Sequence, residues 1–295
     1  MSIINLHLRF REYKSIFENL SPNTIVWHRR IFNSFIKFTA ISSISEVDKA
    51  SIERWIIWGK TEREWSAKTI HGSLVCLNVF LNWCVKENII KENPAKDIPK
   101  PRLPKKIPKH LSIEQANHLL NWAKLYPYKY EYEKHRAVAI IAMFMYSGVR
   151  YQELVNLKLT DVDFTHKVIT VSQGKGAKDR MIPLCDALEG YLFPYLQERS
   201  IINPYSIYFF VSKRTNGKMS DNVIKRLFAK LQQKSKLKFH PHMLRHTFAT
   251  LMLEGGCDIF SLSKMMGHSD IKTTAIYLTA TVKHLQGQMR KHPLQ

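Results

Sequence analysis

The sequence predicts a mostly α-helical protein with a small β-sheet, in the α+β class. Apolar residues recur every three or four positions through residues 1–95, which is the period of an amphipathic helix. A proline-rich stretch follows at residues 96–109, and a period of two appears only briefly within residues 110–295. We therefore expect a helical first domain, a linker and a larger second domain with those bounds. The 295 residues are enough for two cores of ordinary size.

The first domain reads as a small helical bundle. Ser21 followed by Pro22 is typical of a helix start, because serine caps the first turn and proline fits it. A second helix is predicted over residues 46–60 and a third over residues 65–87, where Leu74 belongs to an apolar stripe at helical spacing.

Prolines at positions 94, 99, 101, 104 and 108 mark the boundary between the domains. They forbid a continuous helix and favour an extended chain. Lys105 and Lys106 lie in this basic stretch, so it could follow a phosphate backbone. A solvated linker is an equally good interpretation of the same residues.

The second domain opens on a capping box formed by Ser112 and Gln115. A buried helix is predicted over residues 137–146, ending at Ser147-Gly148. The chain then enters a helix that carries Arg150 and Glu153, three positions apart and therefore on one side.

A β-hairpin is predicted from strands at residues 168–171 and 180–184, which flank the basic, glycine-rich segment SQGKGAKD. Residues 207–211 predict a further short strand, and Ser220 a helix start. Pro241 begins another helix, which Gly255-Gly256 ends.

Charge and cysteine content limit the function classes. There are 45 Lys and Arg against 24 Asp and Glu, a net charge of +21 that both halves of the chain share, which points to a nucleic acid partner. The 4 cysteines form no CxxC pair, and we predict that they are reduced, structural residues. No signal peptide is evident, and the longest apolar run is half of the roughly 20 residues that a membrane span needs. We therefore predict a cytoplasmic protein.

His242, Arg245, His268 and Tyr277 crowd into one short segment. One histidine and one arginine on a helix are ordinary surface or core residues when taken alone. Together with the upstream Arg150, however, these residues could catalyse attack on a phosphodiester. The planar guanidiniums of Arg150 and Arg245 can bind its non-bridging oxygens.

The remaining chemistry needs a nucleophile, a base and an acid. A tyrosine phenol has a pKa of about 10, so Tyr277 needs a base within hydrogen-bond reach, and His242 is the candidate. Lys175, between two glycines, could protonate the departing sugar oxygen. His240 and His242 could together bind zinc, but the sequence offers no third ligand near them. We therefore predict no metal site and no cofactor.

The chain resembles the tyrosine recombinases of the phage integrase family, and within them the Xer type, over nearly its whole length. The resemblance is carried by five ordered boxes: LSPNTIVWHRRIFNSF, SGVRYQEL, GKGAKDRMIPL, HPHMLRHTFAT and MMGHSDIKTTAIY. Several boxes in this order and at these separations are far more specific than any one of them.

The resemblance implies a role for each matching residue. The implied set is Arg150 and Arg245 as phosphate clamp, Lys175 as general acid, His242 as general base, His268 as phosphate-side donor, Tyr277 as nucleophile and Glu153 as support. Lys178 and Arg180 share the hairpin and are expected to contact DNA, as are Lys105 and Lys106. Lys178 is the alternative acid.

The resemblance also implies the architecture and the reaction. A helical core-binding domain and a catalytic domain would form a C-shaped clamp on double-stranded DNA, with four identical or related protomers on two sites. Tyr277 would form a 3′-phosphotyrosyl link, and strand exchange would pass through a Holliday junction. Two alternatives remain: a DNA-binding regulator that has lost catalysis, and a topoisomerase-like enzyme that nicks and reseals. The presence of every catalytic residue type disfavours the first, and the compact two-domain layout disfavours the second.

Overall fold

The computed structural model describes residues 2–104, 108–172, 179–202, 205–212, 217–268 and 270–278. The chain divides into two compact units, Met1–Lys105 and Lys106–Gln295. The prediction of a mostly helical chain with a small sheet is confirmed. Four predicted functional residues, Lys105, Lys106, Lys175 and Lys178, lie outside the described residues. Across the described residues, no helix combines the length and the apolar character that a membrane crossing requires.

The described part of the first unit contains four α-helices. They are α1 (Ile3–Ile16), α2 (Pro22–Thr39), α3 (Lys49–Thr61) and α4 (Ala67–Lys86). The predicted start of α2 is confirmed, because the Ser21 hydroxyl accepts a hydrogen bond from the Thr24 amide at 3.2 Å. Aromatic rings fill the space between the helices, with Phe10, Phe35, Trp55 and Phe80 almost fully buried.

The second unit combines helices with one antiparallel sheet. Its described helices are α5 (Ile113–Leu125), α6 (Glu131–Ser147), α7 (Tyr151–Asn156), α8 (Asp186–Ile202), α9 (Asp221–Ser235), α10 (Pro241–Glu254), α11 (Ile259–Met266) and α12 (Lys272–Ala275). Its strands are β1 (Val162–Asp163), β2 (Val168–Val171) and β3 (Arg180–Pro183), in the order β1-β2-β3.

The predicted hairpin strands are confirmed, since β2 pairs with β3 and Val171 lies opposite Arg180. Burial alternates along both strands, with Ile169, Val171 and Ile182 facing the core. The same alternation turns the Arg180 side chain inward, to the core side of the sheet.

The predicted strand at residues 207–211 is wrong. Among the residues that the structure describes, this segment forms only single bridges, between Tyr208 and Lys158 and between Val211 and Lys218. The buried Arg199 guanidinium of α8 donates to the carbonyl oxygens of Ser206, Tyr208 and Phe209. A side chain thus takes the acceptors that a partner strand would need.

A glycine at the end of α6 allows this helix to approach α10 closely. Gly148 ends the helix with a positive φ of 60°, as its sequence position predicts. A Cβ at this position would lie 2.3 Å from the ring of Phe248 on α10, so only glycine permits this approach. The end of α6 also contacts Arg245 of α10, which donates to the Gly148 carbonyl oxygen two residues before Arg150.

Two buried histidines should make the first unit sensitive to acid. Burial, followed by the charge of Arg11, lowers the pKa of His7 to about 3, and burial also lowers the pKa of His28. His7 stays neutral in the folded protein down to about pH 3, and folding makes His28 harder to protonate, whereas the unfolded chain takes up both protons below about pH 6.5. Stability should therefore be full above that pH and fall below it, by up to about 1.4 kcal/mol per pH unit from His7 and by a further loss from His28.

Replacing His7 with Phe should make this pH dependence shallower, because a ring that cannot titrate then lies against Phe32. Urea unfolding of the whole chain can be followed by tryptophan fluorescence, since every tryptophan except Trp122 belongs to the first unit. The slopes of unfolding free energy against pH should be compared between pH 7 and 5. Equal slopes for wild type and His7→Phe would contradict the account.

Candidate active site

One carboxylate, with 11% of its side chain exposed, joins two of the arginines in the second unit. Glu153 on α7 accepts a 2.8 Å hydrogen bond from Arg150 Nη1 and two more, at 2.8 and 2.7 Å, from Arg180 on β3. Its Oε2 also accepts from the backbone amide of Arg150, which closes the turn before α7. Arg150 and Glu153 were predicted to share one side of a helix; Arg150 is in fact the residue before α7, and its side chain does lie beside Glu153.

The Glu153 carboxylate is charged across the whole range of physiological pH. Burial alone would raise its pKa, but hydrogen bonds and charge from Arg180, together with hydrogen bonds from Arg150, lower it to about 2. Two guanidiniums held by one anion have little rotational freedom left. The arrangement fixes Arg150 before any substrate arrives.

The C-terminal end of α11 receives a guanidinium on each of three successive carbonyl oxygens. Arg180 Nε donates to Met265 at 2.7 Å, Arg245 Nη2 to Met266 at 2.7 Å, and Arg150 Nη2 to Gly267 at 2.9 Å. Carbonyls at a helix end lack helical partners and carry the negative end of the dipole, so they attract cations. Gly267 ends this helix in the left-handed region, with φ of 63°.

Arg245 is the most enclosed member of the cluster, with 4% of its surface exposed. Its Nη1 donates to the carbonyl oxygen of Gly148, which ties α10 to the end of α6. Burial, and then the neighbouring Arg150, lower its pKa to about 10, so it remains charged at neutral pH. Two cations are thus held close together in a partly dry site, an arrangement that favours an anionic ligand.

His268 lies directly beside Arg245, with Nε2 3.1 Å from Nη2. A guanidinium can only donate, so Nε2 is the acceptor and Nδ1 carries the proton. That Nδ1 donates to the hydroxyl of buried Thr274 at 2.8 Å. Burial and the charge of Arg245 lower the pKa of His268 to about 4, in agreement with a neutral ring. Its predicted role as a phosphate donor stays a prediction.

Tyr277 lies in a small apolar cluster with Phe248, Leu253 and Met266, and is 2% exposed. Its hydroxyl lies 2.7 Å from Nδ1 of His246. Sequence reasoning missed His246 altogether, although its place four residues after His242 puts both on one face of α10.

His242 belongs to the same site. Burial lowers its pKa, and the charges of His240, Arg245 and Arg150 lower it further. Its role as base stays a prediction.

Arg180 occupies a different environment from the one expected of a DNA contact. Its side chain is 6% exposed, and all its described hydrogen bonds go to Glu153 and Met265. The hairpin position that suggested DNA contact is the inward-facing one on β3. This geometry supports a role for Arg180 in holding Glu153 and, through it, Arg150.

Comparison with known proteins agrees with this geometry. Residues 109–284 match the phage integrase family, and residues 6–100 match the phage integrase SAM-like domain. The chain belongs to the phage integrase family. The resemblance read from its motifs is therefore confirmed.

Named members of the phage integrase family align with most of the chain. Tyrosine recombinase XerC of Actinobacillus pleuropneumoniae is 30% identical over 279 residues, which cover 93% of this chain and 89% of that protein. Tyrosine recombinase XerA of Thermococcus onnurineus is 33% identical over 275 residues, covering 93% and 90%. The integrase of transposon Tn1549, solved in complex with transposon right end DNA, has a TM-score of 0.76 at 21% identity and covers 99% of both chains.

We expect Glu153→Gln to destabilise the second unit of this integrase-family protein. A neutral amide leaves the buried Arg180 without a carboxylate, and breaking a buried ion pair costs about 3–5 kcal/mol. Thermal or urea unfolding of the full chain measures the change.

The matched control is Glu131→Gln on α6. Glu131 is 65% exposed in its 3.0 Å pair with Lys134, so its loss should cost less than about 1 kcal/mol. Equal stability of the two variants would show that the Glu153 carboxylate does not hold the site together.

Proposed function

We propose that this protein is a site-specific recombinase that cuts and rejoins double-stranded DNA through a covalent phosphotyrosine bond at Tyr277. The observation that carries the proposal is the meeting of Arg245, His268 and Tyr277 in one site. Arg245 lies 3.1 Å from His268 and lowers the pKa of Tyr277, against the stronger effect of burial. Arg150 is fixed on the next carbonyl of the same helix end.

Each side chain has a part in the proposed reaction. Arg150 and Arg245 bind the non-bridging oxygens of the scissile phosphate, where negative charge grows in the transition state. Tyr277 attacks phosphorus, giving a 3′-phosphotyrosyl bond and a free 5′-hydroxyl. Lys175 protonates the departing 5′-oxygen, with Lys178 as the alternative acid. The motif assigns the role of general base to His242. It assigns to His268 the role of a hydrogen-bond donor on the phosphate side.

DNA as substrate is supported by three independent features. The net charge of +21 extends over both halves of the chain, which suits contact of both units with one polyanion. The relatives that align over most of the chain are named tyrosine recombinases. The similar Tn1549 integrase was solved with DNA. We propose that the helical first unit binds the same duplex as the second.

We further propose that four protomers act together. Exchange of both strands between two duplexes requires four cuts, and each Tyr277 can form only one ester at a time. Four identical copies, or copies of this chain with a related recombinase, supply the four nucleophiles. The ester preserves the energy of the broken bond, so the free 5′-hydroxyl of the partner strand can rejoin it through a Holliday junction.

The nucleophile can be tested through the covalent adduct. Protein expressed in cells should be recovered with DNA attached after denaturation, and sequencing that DNA identifies the cut site. A nicked duplex of this site should then give a denaturant-resistant complex with wild type and none with Tyr277→Phe, which should still bind the duplex.

The matched control for this test is Tyr151→Phe. Its hydroxyl donates to Asp221 at 2.8 Å, so the change removes another tyrosine hydroxyl of the second unit but leaves Tyr277 in place. This variant should form the adduct. An adduct in Tyr277→Phe, or its loss only in Tyr151→Phe, would refute the assignment.

A further inference from the structure

A histidine that no catalytic motif assigns contacts the proposed nucleophile. His246 Nδ1 lies 2.7 Å from the Tyr277 hydroxyl oxygen, and the two ring centres are 5.5 Å apart with planes tilted by 52°. The residues are 31 positions apart, so the contact is made by the packing of α10 against the segment after α12. The separation is within the range of about 2.6–3.2 Å in which a side chain can take a proton directly.

The Tyr277 phenol needs such a partner. Burial raises its pKa above the ordinary value of a phenol, and the charge of Arg245 acts in the other direction without cancelling this effect. A phenol with a raised pKa is almost wholly protonated at neutral pH and is a poor nucleophile. It becomes reactive only if a base accepts its proton as it attacks.

His246 is kept in the form that can accept a proton. Burial and the nearby basic side chains, among them His242 and Arg245 on α10, lower its pKa to about 4. The ring is therefore neutral at physiological pH and has one nitrogen with a free lone pair. A DNA phosphate held by Arg150 and Arg245 adds negative charge nearby, which strengthens a histidine base.

The two histidines of α10 have different neighbours. Burial and the charges of His240, Arg245 and Arg150 lower the pKa of His242. His246 is one helical turn further along the same face and contacts the nucleophile oxygen itself.

We propose that His246, and not the His242 of the motif, is the catalytic residue that accepts the Tyr277 proton at Nδ1 during DNA cleavage and returns it during rejoining. This rests on the proposed recombinase function. In cleavage the Oη–H bond breaks and its proton moves to Nδ1, the Oη–P bond forms, and the bond from phosphorus to the 5′-oxygen breaks. That oxygen takes a proton from the acid, assigned to Lys175. Rejoining reverses each transfer, so His246 protonates Tyr277 as it leaves.

The variant that separates proton transfer from positioning is His246→Asn. The amide oxygen of Asn can accept a hydrogen bond near the position of Nδ1, but an amide is not a base. Single-turnover cleavage of the nicked duplex at pH 7 should slow by about 10² to 10⁴, the usual contribution of a general base. His242→Asn is the matched comparison on the same face of α10, and DNA binding and unfolding are measured for both.

The decisive readout is rescue by a more acidic nucleophile. Introducing a fluorinated tyrosine at position 277 lowers the pKa of the phenol, so the base becomes less necessary. Cleavage by His246→Asn should recover most of its lost rate, and its deficit should also shrink as the pH is raised. Cleavage by His242→Asn should recover little under either change. His246→Gln follows the same expectations and replaces His246→Asn if that variant unfolds.

Three results would overturn the inference: cleavage by His246→Asn at the wild-type rate, cleavage faster than wild type, or a deficit that neither fluorinated tyrosine nor higher pH repairs. Faster cleavage would make His246 a restraint on Tyr277 instead of its base. The proposed function is judged separately. If wild type forms no adduct, the recombinase assignment fails, whereas an adduct that is equal in wild type and His246→Asn rejects only the role of His246.

Discussion

The bidentate contact between Glu153 and Arg180 is the interaction on which the rest of the site depends. It places a carboxylate under Arg150, and the same carboxylate closes the turn that starts α7. A lone buried anion would be costly, and so would a lone buried guanidinium, but each satisfies the other. The sheet therefore does more than cover the core, because its strand β3 carries Arg180, which fixes the position of the proposed phosphate clamp.

The end of α11 extends this constraint to the other elements of the site. Guanidiniums from β3, α10 and the turn before α7 are fixed on three consecutive carbonyls, and the chain then passes through Gly267 directly to His268. Residues distant in sequence thus share one short scaffold. Charge stabilisation that is prepared in advance needs no reorganisation when the substrate binds, and this preparation accounts for much of the catalytic power of such sites.

Local signals in the sequence predicted local structure well. The Ser112 capping box, the helix end at Gly148 and the placement of Arg150 and Glu153 on one side of the chain all depend on residues within a few positions of each other. The contact between His246 and Tyr277 depends on tertiary packing, and no periodicity encodes it. The role of Arg180 was missed because a hairpin sequence does not show which basic side chain turns inward. The strand predicted at residues 207–211 failed because a buried arginine can replace a partner strand.

The most direct test of this account is a crystal structure of the wild-type protein with its cut DNA site and vanadate, which adopts the five-coordinate geometry of phosphoryl transfer. The account predicts that the Tyr277 oxygen is bonded to vanadium. It also predicts that Arg150 and Arg245 donate to the non-bridging oxygens, while Arg180 still holds Glu153. Vanadium bonded to a different side chain, or either clamp arginine turned away from those oxygens, would contradict it.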